Sequence, residues 1–446
     1  MVTVSPGPRL TRGVHLGYAL GSIGTAAFGT VPGLLLLYYL TDELGVAAGI
    51  AGLVVFAPKA WDVLLNPWIG SRSDRTESHW GPRRPWMLAG GLALPPLFVL
   101  VFAGPGASPG VAAAWVAVAF LLAATAYGCF QVPYIAQPAE ITDDPDERAT
   151  LMSWRVAALA IGILLAGAGA PAAVDAFGGG RGGYLAMAVF VALMLAAGML
   201  GAVAGTRNAP TLTRVHSEGR LGRTLRLAWG SRPFRLLLTV FVVQALGIGV
   251  MLAGVPYYSR EVLGDPAAGS LLFAALVAPA VLVMPVWLRF SRRRGKRAGL
   301  LVSSLLFAVG AATLLAGDAG GTASVVARVV LVGIGYAGMQ MFPLALLPDV
   351  IAADEAASGE RRAGVFTGVW TAAETLGLAV GPGLLGGLLA LAGYASSTGD
   401  EVVAQPASAV TAVLVGFSLV PALLVLVTLP LVLRLPPDRR IPERTA

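Results

Sequence analysis

The chain has 446 residues, 56% of them hydrophobic and only 12% charged, with a mean hydropathy of +0.76. A soluble domain carries about 25% charged residues, so this composition excludes a cytosolic enzyme, a secreted disulfide scaffold and a disordered chain. Cys129 is the single cysteine, which excludes an internal disulfide, and the net charge of +7 has to be located along the chain before it points to any partner.

A helix needs roughly 20 apolar residues to cross a hydrocarbon core of about 30 Å. In chain order, stretches free of Asp, Glu, Lys and Arg run over 13–41, 85–139, 156–174, 182–206, 236–259, 266–288, 298–317 and 402–433. The stretch 85–139 is too long for one crossing and is split by the turn-rich run Pro105-Gly-Ala-Ser-Pro-Gly110. Three further spans carry one or two charges each: 45–70 with Lys59 and Asp62, 323–347 with Arg328, and 363–391 with Glu374. The pattern predicts twelve helices with both termini on one side. The first apolar run is too long for a signal peptide and lacks its small-residue cleavage site.

Of the 31 Lys and Arg, all but five fall on the side of the termini. Arg181 and Arg260 lie opposite, and Lys59, Arg155 and Arg328 lie within helices. This asymmetry predicts a plasma-membrane protein with both termini cytoplasmic. Short runs such as Arg292-Arg-Arg294 then read as juxtamembrane anchors rather than nucleic-acid contacts.

The domain plan is an N-terminal six-helix bundle over 1–206, a polar, basic cytoplasmic linker over 207–235, and a C-terminal six-helix bundle over 236–446. An internal repeat supports it. Pro138-Ala-Glu140-Ile141, followed by acidic residues and Glu147-Arg148, recurs as Pro348-Asp349-Val-Ile351, acidic residues and Glu360-Arg361. A second echo links Ala57-Pro58 with Ala278-Pro279. Two six-helix halves repeated in parallel are the build of an alternating-access transporter, with substrate held near the midplane between the bundles.

Charges inside a membrane need a reason to be there. Helix 2 carries Lys59, Asp62 and Asn66 at spacings of three and four, which places them on one face ahead of Pro67. A carboxylate, an amide oxygen and freed carbonyls suit a small hard cation or a proton, so Asp62 and Asn66 are candidates for coupling. The alternative is a structural ion pair of Asp62 with Lys59 or Arg155. Glu374, deep in helix 11, is either a third coupling group or a static partner of Arg328. Arg328 could equally meet an anionic solute. Candidate solute contacts are Tyr127, Gln131 and Tyr134 on helix 4, Arg155 on helix 5, Gln244, Tyr257 and Tyr258 on helix 7, Arg328, Tyr336 and Gln340 on helix 10, and Trp370 on helix 11. Gly17, Gly21, Gly24 and Gly29 predict close helix contacts along helix 1.

No phosphate-cradling loop of the P-loop type is present, and His15, His79 and His216 do not cluster with Cys129, so neither an ATP-driven pump nor a metal site is expected. Asp143-Asp144-Pro-Asp146-Glu147 leaves open a remote alternative, a membrane prenyltransferase-like enzyme that holds magnesium and a diphosphate.

The loop after helix 2 reads Gly70-Ser-Arg-Ser-Asp74-Arg75-Thr-Glu-Ser-His-Trp80-Gly81-Pro-Arg83-Arg84-Pro85. It resembles the signature of the major facilitator superfamily in its glycoside–pentoside–hexuronide:cation symporter form. Lys59 through Pro67, Gln131-Val-Pro133, Glu147-Arg148 through Arg155, and Arg361-Arg362-Ala-Gly364 through Trp370 resemble that family as well. The resemblance implies the major facilitator fold, all-α with twelve transmembrane helices in two pseudo-symmetric six-helix bundles. It implies cation-coupled transport of a sugar-like small molecule by a lipid-embedded monomer that is no enzyme, takes no cofactor and binds no nucleic acid. It also implies gating contacts from Asp74, Arg75, Arg83 and Arg84. Asp62 matches a family acid on helix 2 and Arg155 the family arginine on helix 5. Ala26, Asn66 and Gln131 stand where the family carries acids, and Thr375 where it often carries lysine. With fewer carboxylates, a sodium site loses most of its attraction, so the expected coupling ion is H⁺ rather than Na⁺. An exporter of drugs or natural products with the same fold is the alternative reading.

Overall fold

The computed structural model describes residues 10–106, 108–142, 144–209, 229–358, 363–399 and 403–436. Among the described residues, eleven helices are long and apolar enough to cross a membrane, and a bent pair, taken as one span, makes twelve. They are α1 (Arg12–Val31), α2 (Ala48–Asp74), α3 (Arg84–Phe102), α4 (Pro109–Ile141), α5 (Pro145–Ala176) and α6 (Gly180–Gly205). The series continues with α7 (Arg232–Tyr257), α8 (Ala268–Leu282 and Met284–Arg294), α9 (Lys296–Thr313), α10 (Gly321–Ser358), α11 (Ala363–Leu391) and α12 (Ala407–Phe417 and Leu419–Leu433).

The helix count expected from hydropathy is therefore the one observed, and the breaks have local causes. The Pro-Gly run after α3 separates α3 from α4 as anticipated. α8 bends by 41° around Val283. Pro279 and Pro285 flank that point, and each removes a backbone donor from the ladder.

By internal contacts the chain divides into two compact units, Met1–Ser217 with Gly386–Ala409, and Glu218–Leu385 with Val410–Ala446. Of the stretch expected as a linker, residues 210–228 lie outside the described residues.

In the first unit, small residues set the helix spacing. A Cβ added to Gly17 would stand 2.5 Å from the Gly205 Cα, so α1 and α6 touch backbone to backbone. Gly21 meets the Tyr134 ring and Gly24 meets Met199, whereas Gly29 faces open space. Beyond α1 the chain continues through π-helical turns at Pro32–Leu36 and Tyr39–Glu43. There Asp42 and Glu43 are buried. The segment after α11 packs on that end of α1. Tyr394 donates its hydroxyl to Asp42 Oδ1 at 2.8 Å, Ser396 Oγ donates to the Val46 carbonyl at 2.8 Å, and Ser397 N–H donates to the Thr41 carbonyl at 2.9 Å. An antiparallel bridge joins Leu44 to Thr398.

In the second unit, aromatic packing dominates the core. Phe241 stacks on Trp370 with centroids 4.3 Å apart, Phe234 meets Phe366 at 4.7 Å, and Trp287 meets Phe342 at 5.6 Å.

Candidate solute and coupling sites

Within the first unit, α2 presents Lys59, Asp62 and Asn66 toward α4. The neutral, small Gly128 on α4 makes room, since a Cβ there would stand 2.9 Å from Asn66 Oδ1. Asp62 is 3% exposed, and one of its carboxylate oxygens has no hydrogen-bond partner. Asn66 Oδ1 and Gln131 Oε1 are likewise buried and unpartnered, as is Arg155 Nε. Buried polar groups normally find partners, so four in one cluster mark a place arranged for something other than packing.

The alternative of a structural ion pair finds no direct salt bridge among the described residues, although the charges of Lys59 and Asp62 act on each other. The Lys59 ammonium sits over two aromatic faces, 5.3 Å from the Phe28 centroid and 5.9 Å from that of Tyr127. These two rings stack at 4.5 Å, and a cation over such faces is held by their quadrupoles. The Arg155 guanidinium lies 5.8 Å from the Tyr134 centroid. Among the described residues, neither cation pairs with Asp62. Tyr127 stacks on Phe28 under the Lys59 ammonium and directly precedes Gly128, the residue that meets Asn66. Phe28 was missed in the sequence, and only its lysine-facing neighbours on α2 hint at its role.

Tyr134, expected to touch solute, is fully buried and fully engaged. Its hydroxyl donates to the Tyr18 carbonyl at 2.6 Å and lies 2.8 Å from Ser22 Oγ. It ties α4 to α1 and supports Arg155 with its face.

The second unit holds a small cavity, with room for a single water-sized group, lined by Phe241, Gln244, Tyr336, Gln340 and Glu374 together with four apolar residues. The cavity brings together four of the expected residues, Gln244, Tyr336, Gln340 and Glu374, from three helices. Gln244 donates to Ser304 Oγ at 2.9 Å and to Thr428 Oγ1 at 3.2 Å, while its Oε1 has no partner. Gln340 donates to the Tyr336 hydroxyl at 3.1 Å. Trp370 stacks behind Phe241, is 2% exposed and backs the cavity wall rather than lining it.

Two expected residues lie elsewhere. Arg328 is on the second turn of α10 and reaches back to the preceding loop. Its guanidinium donates to the carbonyls of Thr313, Ala319 and Ser324 at 3.0, 2.6 and 3.2 Å. A long arginine near a helix end extends toward polar groups in this way, so Arg328 is neither a partner of Glu374 nor a cavity residue. Tyr258 is buried at the same end, with its hydroxyl on the carbonyls of Leu314 and Gly317.

At the opposite end of the first unit, Arg83 is buried and donates to Glu140 Oε1 at 2.8 Å and to Ser73 Oγ at 2.7 Å. Arg84 donates to the carbonyls of Thr206 and Ala209, which fastens the start of α3 to the end of α6. Arg75 caps α2 on the surface. The side chain of Asp74 lies outside the described residues, as does Asp143.

The profile of the family described as MFS/sugar transport protein matches residues 17–439. The chain is 26% identical over 429 residues to the inner membrane symporter YicJ of Escherichia coli K12, covering 92% of this chain and 88% of that one. It is 24% identical over 396 residues to the isoprimeverose transporter of Lactiplantibacillus pentosus, covering 86% and 80%. The structure of the nucleoside transporter NupG superposes with a TM-score of 0.62 at 14% identity, over 94% of this chain and 99% of that one. The fold is that of the major facilitator superfamily, and the chain is a secondary transporter by class. It belongs to the MFS/sugar transport protein family, the glycoside–pentoside–hexuronide:cation symporter branch expected from the loop after α2.

Proposed function

We propose that the chain moves a small, glycoside-like solute across the plasma membrane in exchange between two access states, coupled to H⁺ at Asp62. The observation that carries this reading is the buried carboxylate oxygen of Asp62 without a donor, beside the amide oxygens of Asn66 and Gln131, which are also without donors. One carboxylate among neutral amides offers too little charge to strip the water from a sodium ion, but it takes up and releases a proton readily. Glu374 is the second protonation candidate. Arg155, Gln131 and Tyr127 are the solute contacts of the first unit, and Gln244 and Gln340 those of the second. The glycoside class rests on the isoprimeverose-transporting relative. Asp74, Arg75, Arg83 and Arg84 form the gating set, the termini are cytoplasmic, and the chain works as a monomer.

The test is uptake into proteoliposomes under an imposed gradient of H⁺ or of Na⁺, with labelled glycosides. Drive by the pH gradient alone supports the reading, and strong stimulation by Na⁺ overturns it.

A further inference from the structure

We infer that the cavity of the second unit binds the ammonium group of its solute, so that the preferred cargo is an amine-bearing small molecule, such as an amino sugar or an arylalkylamine, rather than a neutral glycoside. This deepens the carrier reading and rests on it for the transport step, though not for binding.

The inference comes from the balance of donors and acceptors. Glu374 faces the cavity, and no Lys, Arg or His lines it. The cationic group once expected to pair with it, Arg328, is held by loop carbonyls elsewhere. Gln244, 2% exposed, lines the cavity and carries an unpartnered oxygen. The orientation of that amide is fixed chemically. Thr428 uses its hydroxyl proton on the Val425 carbonyl at 2.6 Å, so toward Gln244 it can only accept, and the NH₂ must point to it. Gln340 donates its NH₂ to the Tyr336 hydroxyl at 3.1 Å, which leaves that hydroxyl's own proton for a guest. What remains for a guest is the Glu374 carboxylate, the amide oxygens of Gln244 and Gln340 and the faces of Phe241 and Tyr336, against two donors, the Tyr336 hydroxyl and the second N–H of Gln340. The acceptors outnumber the donors and include a negative charge that no basic side chain among the lining residues offsets. A primary ammonium is donor-only with three N–H groups, and it is attracted both by a carboxylate and by aromatic faces.

Binding is measured with the purified full-length chain by thermal unfolding, using two matched pairs of probes near neutral pH and at constant ionic strength. The pairs are glucosamine against glucose and phenethylamine against 2-phenylethanol. The expected result is a saturable rise in Tm of about 2 °C or more with the ammonium member of at least one pair and little with its neutral partner. Glu374→Gln weakens that binding roughly tenfold or more, as loss of a charge-assisted hydrogen bond requires, and Glu374→Asp keeps the preference for the charged probe. If both neutral probes stabilise the wild type as well as the amines do, if neither amine binds, or if Glu374→Gln binds the amine unchanged, the inference is wrong. The wild-type comparison decides the matter even where a variant does not fold. Amine binding without solute flux in proteoliposomes sinks the carrier reading and leaves this one. Flux with no amine preference does the reverse.

Discussion

Arg83 Nε lies 2.8 Å from Glu140 Oε1, with both side chains at most 10% exposed, and the same guanidinium reaches Ser73. The second half carries a comparable pair within its own copy of the internal repeat. Lys296, at the start of α9, donates to Asp349 Oδ2 at 2.6 Å, although that pair is 35% and 56% exposed. Glu140 of α4 and Asp349 of α10 lie one position out of register in the two copies of the repeat, Pro138-Ala-Glu140-Ile141 and Pro348-Asp349-Val-Ile351, and each meets a base that follows the preceding even-numbered helix.

The two pairs differ in burial, and so in what they contribute. Arg83→Ala strands a buried carboxylate and should destabilise the protein by about 3–5 kcal/mol. Lys296→Ala breaks an exposed pair and should fall within about 1 kcal/mol of wild type. Thermal unfolding in detergent compares them directly, and equal effects would contradict the burial difference.

Glycine contacts give a second contrast. Gly17→Ala drives a methyl into the Gly205 backbone and should lower Tm and the yield of folded protein. Gly29 has nothing within 4 Å of its added Cβ. Gly29→Ala should therefore be neutral or stabilising by up to about 1 kcal/mol from helix propensity. The same unfolding assay reads both.

These glycines also show how far the sequence could be read. Spacing along α1 predicted close approach, and Gly17, Gly21 and Gly24 make it. Hydropathy and Pro-Gly punctuation located all twelve spans, because chain length in lipid is a one-dimensional property. The cluster of Asp62, Asn66 and Gln131 was visible because polar groups stand out in apolar helices. Depth and partners were not visible. Arg328 looked intramembrane, but α10 begins at Gly321 and a flexible arginine reaches back from its second turn. Tyr134 and Tyr258 looked like lining residues, yet a tyrosine hydroxyl satisfied by a carbonyl reads the same in sequence as one facing a cavity. Asp42 finds Tyr394 some 350 positions away, beyond any local pattern.

That last contact carries a prediction about opening. Tyr394→Phe removes the hydroxyl bond to Asp42 and should free the segment after α11 from the end of α1. In a Cys129→Ala, Ser397→Cys background, maleimide labelling of the detergent-solubilised protein should speed up about tenfold, the equivalent of the ~1.5 kcal/mol that such a bond contributes. An unchanged rate would mean that the backbone bonds of Ser397 and the Leu44–Thr398 bridge hold the segment without it.

Arg328→Ala should lower stability by loosening the turn between α9 and α10, and it should leave solute affinity unchanged. A loss of affinity larger than about threefold, well above what an indirect effect of a surface cap produces, would return Arg328 to the binding site.

The account stands most directly on Asp62. With the solute that best stabilises the protein, gradient-driven accumulation and solute exchange at equal concentrations are measured side by side in proteoliposomes. The account predicts that Asp62→Asn abolishes accumulation under a pH gradient while exchange persists, because the variant can still alternate but can no longer carry the proton. Normal accumulation by Asp62→Asn would contradict it.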